Sequence, residues 1–167
     1  AGLKPADIEL VNLALPDMNN ALQRGEVDAA FLWEPLLSKL ELDNSIRVLR
    51  DGKGLKNAIA VIEATDGFVT KNRAEAKALL KAFQRGAELI RRKPDEAAKL
   101  VAAELNQPEP VIRQSLGKFI YGPAFSTEIV GALSGAESFL RDQNFTRVPV
   151  DINRFLDRSL VQELGYK

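Results

Sequence analysis

Residues Val27-Asp28-Ala29-Ala30-Phe31-Leu32 form a short apolar run that ends in Trp33-Glu34 and passes straight into Pro35. A short, nearly continuous apolar run bounded by turn signals is the pattern of a buried strand. A proline directly after it suits the first turn of a helix, where no amide donor is missed. The stretch therefore predicts a strand end with Trp33 and Glu34 standing over a helix N-terminus. In open α/β sheets ligands collect at that edge, because side chains converge there and unpaired helix amides point outward. A binding site in this chain is expected at Trp33 and Glu34.

The residues on either side extend the pattern. Ile8 to Leu13 reads as an earlier strand. Asp17, after Pro16, has the chemistry of a helix N-cap, Met18, Ala21 and Leu22 give one apolar face, and Gly25 is a natural C-terminal stop. Strand, helix and strand joined by short connections favour a parallel sheet with a right-handed crossover. Pro35 to Leu40 is expected as a short helix, Ile46 to Leu49 as a third strand, and Asp51-Gly52-Lys53-Gly54 as a linker. Ala58 to Ile62 is a further buried strand, and Asp66 to Thr70 is open between strand and short helix.

Beyond that point the periodicity is helical. Asn72 with Glu75 three residues on makes a capping pair, and Ala76, Leu79, Leu80, Phe83, Ala87 and Ile90 recur at helical spacing. Pro94 opens the next helix and Pro110 another. Ser126 or Thr127 caps a longer one, and Asp151 caps a last helical segment ending at Gly165. Few strands thus come early and several amphipathic helices follow. A helix that cannot bury its stripe gains little stability, so these helices pack on each other or on a sheet outside the chain.

Composition narrows the chemistry. Hydrophobic residues make up 46% and charged residues 28%, the balance of an ordinary globular protein. Lys+Arg and Asp+Glu each number 23, so no strong overall field draws the chain to nucleic acid or anionic lipid. The basic run Arg91-Arg92-Lys93 reads as a solvated helix end, compatible with the helix dipole. With no cysteine and no histidine the chain lacks disulfides, thiol nucleophiles, imidazole bases and the usual zinc ligands. No metal, no cofactor and no catalytic residue is expected, and an enzyme loses most of its usual equipment. No charged-then-apolar leader opens the chain, so any export signal is expected to be removed or not included.

The order of several segments resembles a known family. Gly2-Leu3-Lys4-Pro5, Asp7-Ile8, Pro16-Asp17 leading to Ala21-Leu22, Gly25, Val27-Asp28-Ala29 and Trp33-Glu34-Pro35 are similar to the substrate-binding proteins of nitrate, sulfonate, taurine and bicarbonate ABC importers, with thiamine-precursor-binding relatives. The helix from Asn72 to Pro94 followed by Asp95-Glu96-Ala97-Ala98 resembles a helix pair of that family. Thr146 to Asp151 with Leu164-Gly165 resembles its C-terminus. The resemblance implies an α/β fold, the C-terminal portion of a two-lobe type II periplasmic binding protein. Residues 1–50 would belong to the second lobe, 51–57 to a hinge or linker, and 58–167 to the returning helical part of the first lobe. It also implies a periplasmic or extracytoplasmic location, a small-molecule ligand captured by hinge closure, and an ABC permease in the membrane as partner.

Each candidate site residue also has a plainer role. Trp33, the only tryptophan, lines a cleft or packs at a rim. Glu34 accepts hydrogen bonds from a ligand amine or offsets the dipole of the helix it begins. A bare anion beside Glu34 would be disfavoured, which tilts the expected ligand toward an amino-sulfonate over nitrate or bicarbonate. Asp17 is chiefly a cap, whereas Leu15 and Pro16 offer backbone to the cleft. Asn57 precedes a strand and is a turn residue or a ligand contact. Tyr121, beside Gly122-Pro123, turns its hydroxyl to the cleft or packs on a helix. Two other readings stay open: a thiamine-precursor (pyrimidine) binding or synthesising protein, and a helical domain that dimerises through uncovered apolar surface. The absent histidine weighs against the synthesising one.

Overall fold

The structure, a computed structural model, describes residues 2, 4–55, 58–122 and 125–166. The chain divides into two compact units, Ala1–Arg47 and Val48–Lys167.

In the first unit a 3-10 turn, Pro5–Asp7, precedes α1, Leu15–Gln23, and α2, Leu36–Leu42. Helix α1 starts two residues before the expected cap. Ala14 occupies the N-cap, Met18 N donates to Ala14 O at 2.8 Å, and Pro16 sits in the first turn where its missing amide costs nothing. Asp17 is consequently inside that turn, where its charge complements the helix dipole without capping. The helix ends as expected at Gly25. That residue takes φ +69°, which a side chain would oppose, while Gly25 N donates to Leu22 O at 3.2 Å and Glu26 N to Ala21 O at 2.9 Å. This pair of bonds satisfies two carbonyls that the helix end would otherwise orphan. Ala21, Ser38 and Leu40 are the buried residues of these two helices.

The second unit is helical: α3, Asp66–Lys71; α4, Arg73–Arg92; α5, Pro94–Leu105; α6, Glu109–Leu116; α7, Thr127–Asp142; α8, Ile152–Phe155; and α9, Ser159–Glu163. Thr65 Oγ1 caps α3 by accepting from Phe68 N at 3.2 Å, which resolves 66–70 as helix. Asn72 closes α3 and begins α4, but its side chain reaches back to Phe68 O and does not cap forward, so the expected Asn72/Glu75 capping pair is absent. Pro94 and Pro110 lie in the first turns of α5 and α6, and Ser126 Oγ caps α7 by accepting from Ile129 N at 3.2 Å. Asp151 Oδ1 caps α8 through Asn153 N at 3.0 Å. The expected single terminal helix breaks at Leu156, because Asp157 Oδ1 accepts from Ser159 N at 2.8 Å and forms a side-chain turn that competes with helix.

The core of this unit lies where α5 packs on α6. Ala98, Ala102 and Ile112 are buried there, with Val101 and Leu116 against them. Small residues let the two helices approach, and Ile112 supplies the volume that fills the gap. Helix α4 packs on α5 and meets α9 near its own N-terminus, at Arg73 and Lys77. Of the α4 stripe only Ala76 and Ala87 are buried, and Leu79 and Phe83 stay half open to solvent. Three ion pairs reinforce the packing: Glu163 on α9 holds Arg73 and Lys77 of α4, and Arg113 on α6 pairs with Asp95 on α5.

The expected strands are not formed. Among the described residues none of 8–13, 27–32, 46–49 or 58–62 is hydrogen-bonded into a ladder. Many apolar side chains in these segments are open, Leu10 at 88% and Phe31 at 87% exposure, while others such as Leu32 and Ile46 are half-buried. A strand exists only through a neighbour that satisfies its amides and carbonyls, so apolar patterning without that neighbour leaves an unpaired chain. Among the described residues no helix is long and apolar enough to cross a membrane.

Candidate functional site

The Trp33-Glu34-Pro35 stretch is held by α2. Pro35 is the N-cap residue of α2 and has no side-chain acceptor, so the cap comes from one residue earlier: Ser38 N donates to Glu34 Oε2 at 3.1 Å. Leu37 N donates to Trp33 O at 3.2 Å and Lys39 N to Pro35 O at 3.1 Å. The Glu34-Pro35 peptide is cis. Three consecutive amides of the first turn therefore close onto three consecutive residues of the preceding turn, and the helix they begin is anchored by Ser38 and Leu40, at 0% and 1% exposure. Trp33 stands at the lip of this arrangement with 50% of its surface open.

Glu34 is turned inward. Its Oε1 is buried and its Oε2 caps α2. The acidic cap compensates the positive end of the helix and supplies an acceptor that proline does not have. Pro16 and Asp17 lie exposed on the first turn of α1. Tyr121 belongs to the other compact unit, half-buried, with its ring 6.0 Å from that of Phe119 at a tilt of 59°. Next to it Gly122 takes φ +143°, and a Cβ there would stand 3.7 Å from Gln84 Oε1 on α4. Asn57 lies outside the described residues.

Sequence reasoning missed Ser38. It is buried, its amide completes the cap, and its Oγ has no hydrogen-bond partner among the described residues. The available signal was its position four residues after Glu34, on the same side of the first turn. Separately, Phe125, Thr127, Val130, Gly131, Asn153 and Arg158 line an open concavity of about 390 Å³ at the start of α7. Arg158 there donates to Asn153 Oδ1 at 3.2 Å, and none of the expected site residues lines it. Among the described residues no group of histidine, cysteine, aspartate or glutamate side chains is arranged to hold a metal ion.

The sequence profile described as NMT1/THI5 like matches residues 1–97, more than half of the chain. The chain belongs to the NMT1/THI5-like family. Within curated proteins this NMT1/THI5-like chain is 34% identical over 116 residues, 70% of its length and 36% of the relative's, to a protein of Escherichia coli (strain K12) named for binding aliphatic sulfonates. It is 42% identical over 45 residues, 27% of its length and 14% of the relative's, to the taurine-binding periplasmic protein of the same organism. It thus spans about a third of the first relative and a smaller share of the second. Among solved structures, the periplasmic aliphatic sulphonate binding protein SsuA from Escherichia coli superposes with a TM-score of 0.79 and 27% identity, over 95% of this chain and 55% of that one. The alkanesulfonate-binding protein SsuA from Xanthomonas axonopodis pv. citri, bound to MOPS, superposes with a TM-score of 0.74 and 21% identity, over 92% and 54%. The fold is therefore that of about half of a type II periplasmic binding protein, and these relatives are binding proteins.

Proposed function

We propose that this chain is part of an extracytoplasmic solute-binding protein that captures small sulfonates, with taurine and short alkanesulfonates first in line, and delivers them to an ABC permease. The observation that carries this reading is the superposition on SsuA over 95% of the chain at 27% identity, joined to 34% sequence identity with the relative named for aliphatic sulfonates. Nitrate and bicarbonate rank lower, because the similar proteins that carry a ligand in their names are named for aliphatic sulfonates and taurine. The role is capture, without a chemical step, and the location is the periplasm or its equivalent.

The chain spans 55% of the solved SsuA structure. On this reading residues 1–50 contribute to one lobe of the whole protein, 51–57 to a connection, and 58–167 to the other lobe. The four unpaired segments at 8–13, 27–32, 46–49 and 58–62 then find their ladder partners in the complete fold. Trp33 forms a wall of the ligand site, the backbone at Leu15 and Pro16 borders it, and Asn57 and the Tyr121 hydroxyl contribute polar contacts. Closure of the lobes is driven by the ligand's higher affinity for the closed state.

A second reading has its own observation. Leu10, Phe31 and Ile120 are almost fully open, surface that also suits the pairing of two copies. Light scattering on the intact protein separates the two: a monomer that binds sulfonates supports capture, and a dimer that binds none supports the interaction domain. Calorimetric titration of the intact protein with taurine, ethanesulfonate and nitrate tests the ligand class, and an absence of heat with both sulfonates overturns it.

A further inference from the structure

We propose that Glu34 is a positioning residue for Trp33, and that its carboxylate serves the ligand only through the indole it holds in place. The inference rests on the reading that Trp33 forms a wall of the ligand site, and it assigns to Glu34 a role different from that of a ligand contact. Three observations carry it. Glu34 Oε2 already accepts from Ser38 N at 3.1 Å, and Oε1 is buried with it, so the carboxylate faces the helix and not the open side. Trp33 O accepts from the next amide back, Leu37 N, at 3.2 Å, so the two residues are tied to adjacent amides of one helix turn. That turn is immobilised by Ser38 and Leu40, both excluded from solvent, whereas Trp33 keeps 50% of its surface open.

The chemistry of the cap follows from the neighbouring proline. A helix begun at Pro35 has no acceptor on its N-cap side chain, and the amide of a buried Ser38 has no water to turn to. Glu34 supplies the oxygen. Once that bond is made, the backbone between residues 33 and 38 is tied at consecutive amides, and the Cα–Cβ bond of Trp33 is aimed before any ligand arrives. Preorganisation of this kind raises affinity by removing the ordering cost of binding. It does so equally for every ligand that stacks on the ring, with or without an amine.

Two substitutions separate positioning from contact. Glu34→Gln retains an sp² oxygen able to accept from Ser38 N, whereas Glu34→Ala removes the acceptor. In the 167-residue chain Trp33 is the only tryptophan, so its emission reports on this turn alone. The expected result is an unchanged emission maximum in Glu34→Gln and a red shift in Glu34→Ala, with far-ultraviolet circular dichroism used to confirm that each variant is folded. In the intact protein, calorimetry is expected to find Glu34→Gln within about twofold of the parent for both taurine and ethanesulfonate, and Glu34→Ala weaker for both by the same factor. The proposal is overturned if Glu34→Gln weakens taurine about tenfold or more while sparing ethanesulfonate, since that marks a carboxylate bound to the amine. It is also overturned if Glu34→Gln shifts the emission as far as Glu34→Ala. Should the parent protein bind neither sulfonate, the ligand reading fails by itself, and the emission comparison still decides whether Glu34 positions Trp33.

Discussion

The amide of Ser38 and the carboxylate of Glu34 meet at 3.1 Å, while the hydroxyl of the same serine is buried without a partner among the described residues. One residue thus makes its backbone bond and leaves its side chain unsatisfied. Burying a hydroxyl without a compensating bond costs roughly 1–3 kcal/mol in proteins. Ser38→Ala keeps the amide and deletes the orphaned oxygen, so it is expected to leave stability unchanged or raise it by up to about 1 kcal/mol. Urea unfolding measures this, and a loss of about 1 kcal/mol or more would mean that the hydroxyl has a bond of its own.

Packing of α5 on α6 is the next place where a single side chain decides the outcome. Ile112 is 2% exposed and fills the space between Ala98 and Ala102. Truncating such a residue removes its transfer free energy and leaves a cavity, so Ile112→Ala is expected to cost about 2–5 kcal/mol. Ile120, at 103% exposure, is the control, and Ile120→Ala is expected within about 0.5 kcal/mol of the parent. Thermal or urea unfolding of the two variants compares them directly.

Acid should loosen the attachment of α9 to α4. Glu163 accepts from Arg73 and Lys77, and these two cations hold its carboxyl well below its ordinary 4.5, at about 2. Arg73 also donates to Ser159 Oγ at 3.0 Å, so the same guanidinium grips both ends of α9. A carboxyl with a depressed folded-state pKa contributes stability above its unfolded pKa and loses it as pH falls toward the folded value. The window is therefore from about pH 4.5 down to about 2. Melting temperatures between pH 5 and pH 2.5 are expected to fall more steeply for the parent than for Glu163→Gln. Parallel curves would show that the pair contributes nothing in solution.

Helix ends were legible in the residues because capping is local chemistry. Gly25, Pro94, Ser126 and Asp151 each punctuate the chain where a glycine, proline, hydroxyl or carboxylate would be expected to. Where local signals competed, the reading moved. Pro16 drew the start of α1 ahead of Asp17, Asn72 was claimed by the helix behind it, and Asp157 broke the terminal helix. Strands were not legible in the same sense, since a ladder is made by two segments and the patterning of Val27 to Leu32 speaks for only one of them. The candidate site was half legible. That Trp33 is open just ahead of α2 accords with its place two residues before a proline, but the inward turn of Glu34 depends on the acceptor that Ser38 N lacks elsewhere, a relation invisible in either residue type.

If the Tyr121 hydroxyl contributes one hydrogen bond to the ligand, Tyr121→Phe in the intact protein is expected to weaken sulfonate binding by about 1 kcal/mol, close to fivefold, with stability nearly unchanged. Titration of the two proteins side by side checks it. Equal affinities would assign Tyr121 to packing against Phe119, whose ring it already meets at 6.0 Å.

Sulfonate capture by the intact protein is the proposal on which the roles given to Trp33 and Tyr121 rest. Calorimetric titration of the intact protein with taurine and ethanesulfonate, against nitrate at the same concentrations, tests it most directly. Saturable one-to-one binding of the sulfonates, weakened by Trp33→Ala, is expected, with little or no heat from nitrate. Saturable binding of nitrate with none of either sulfonate would contradict it.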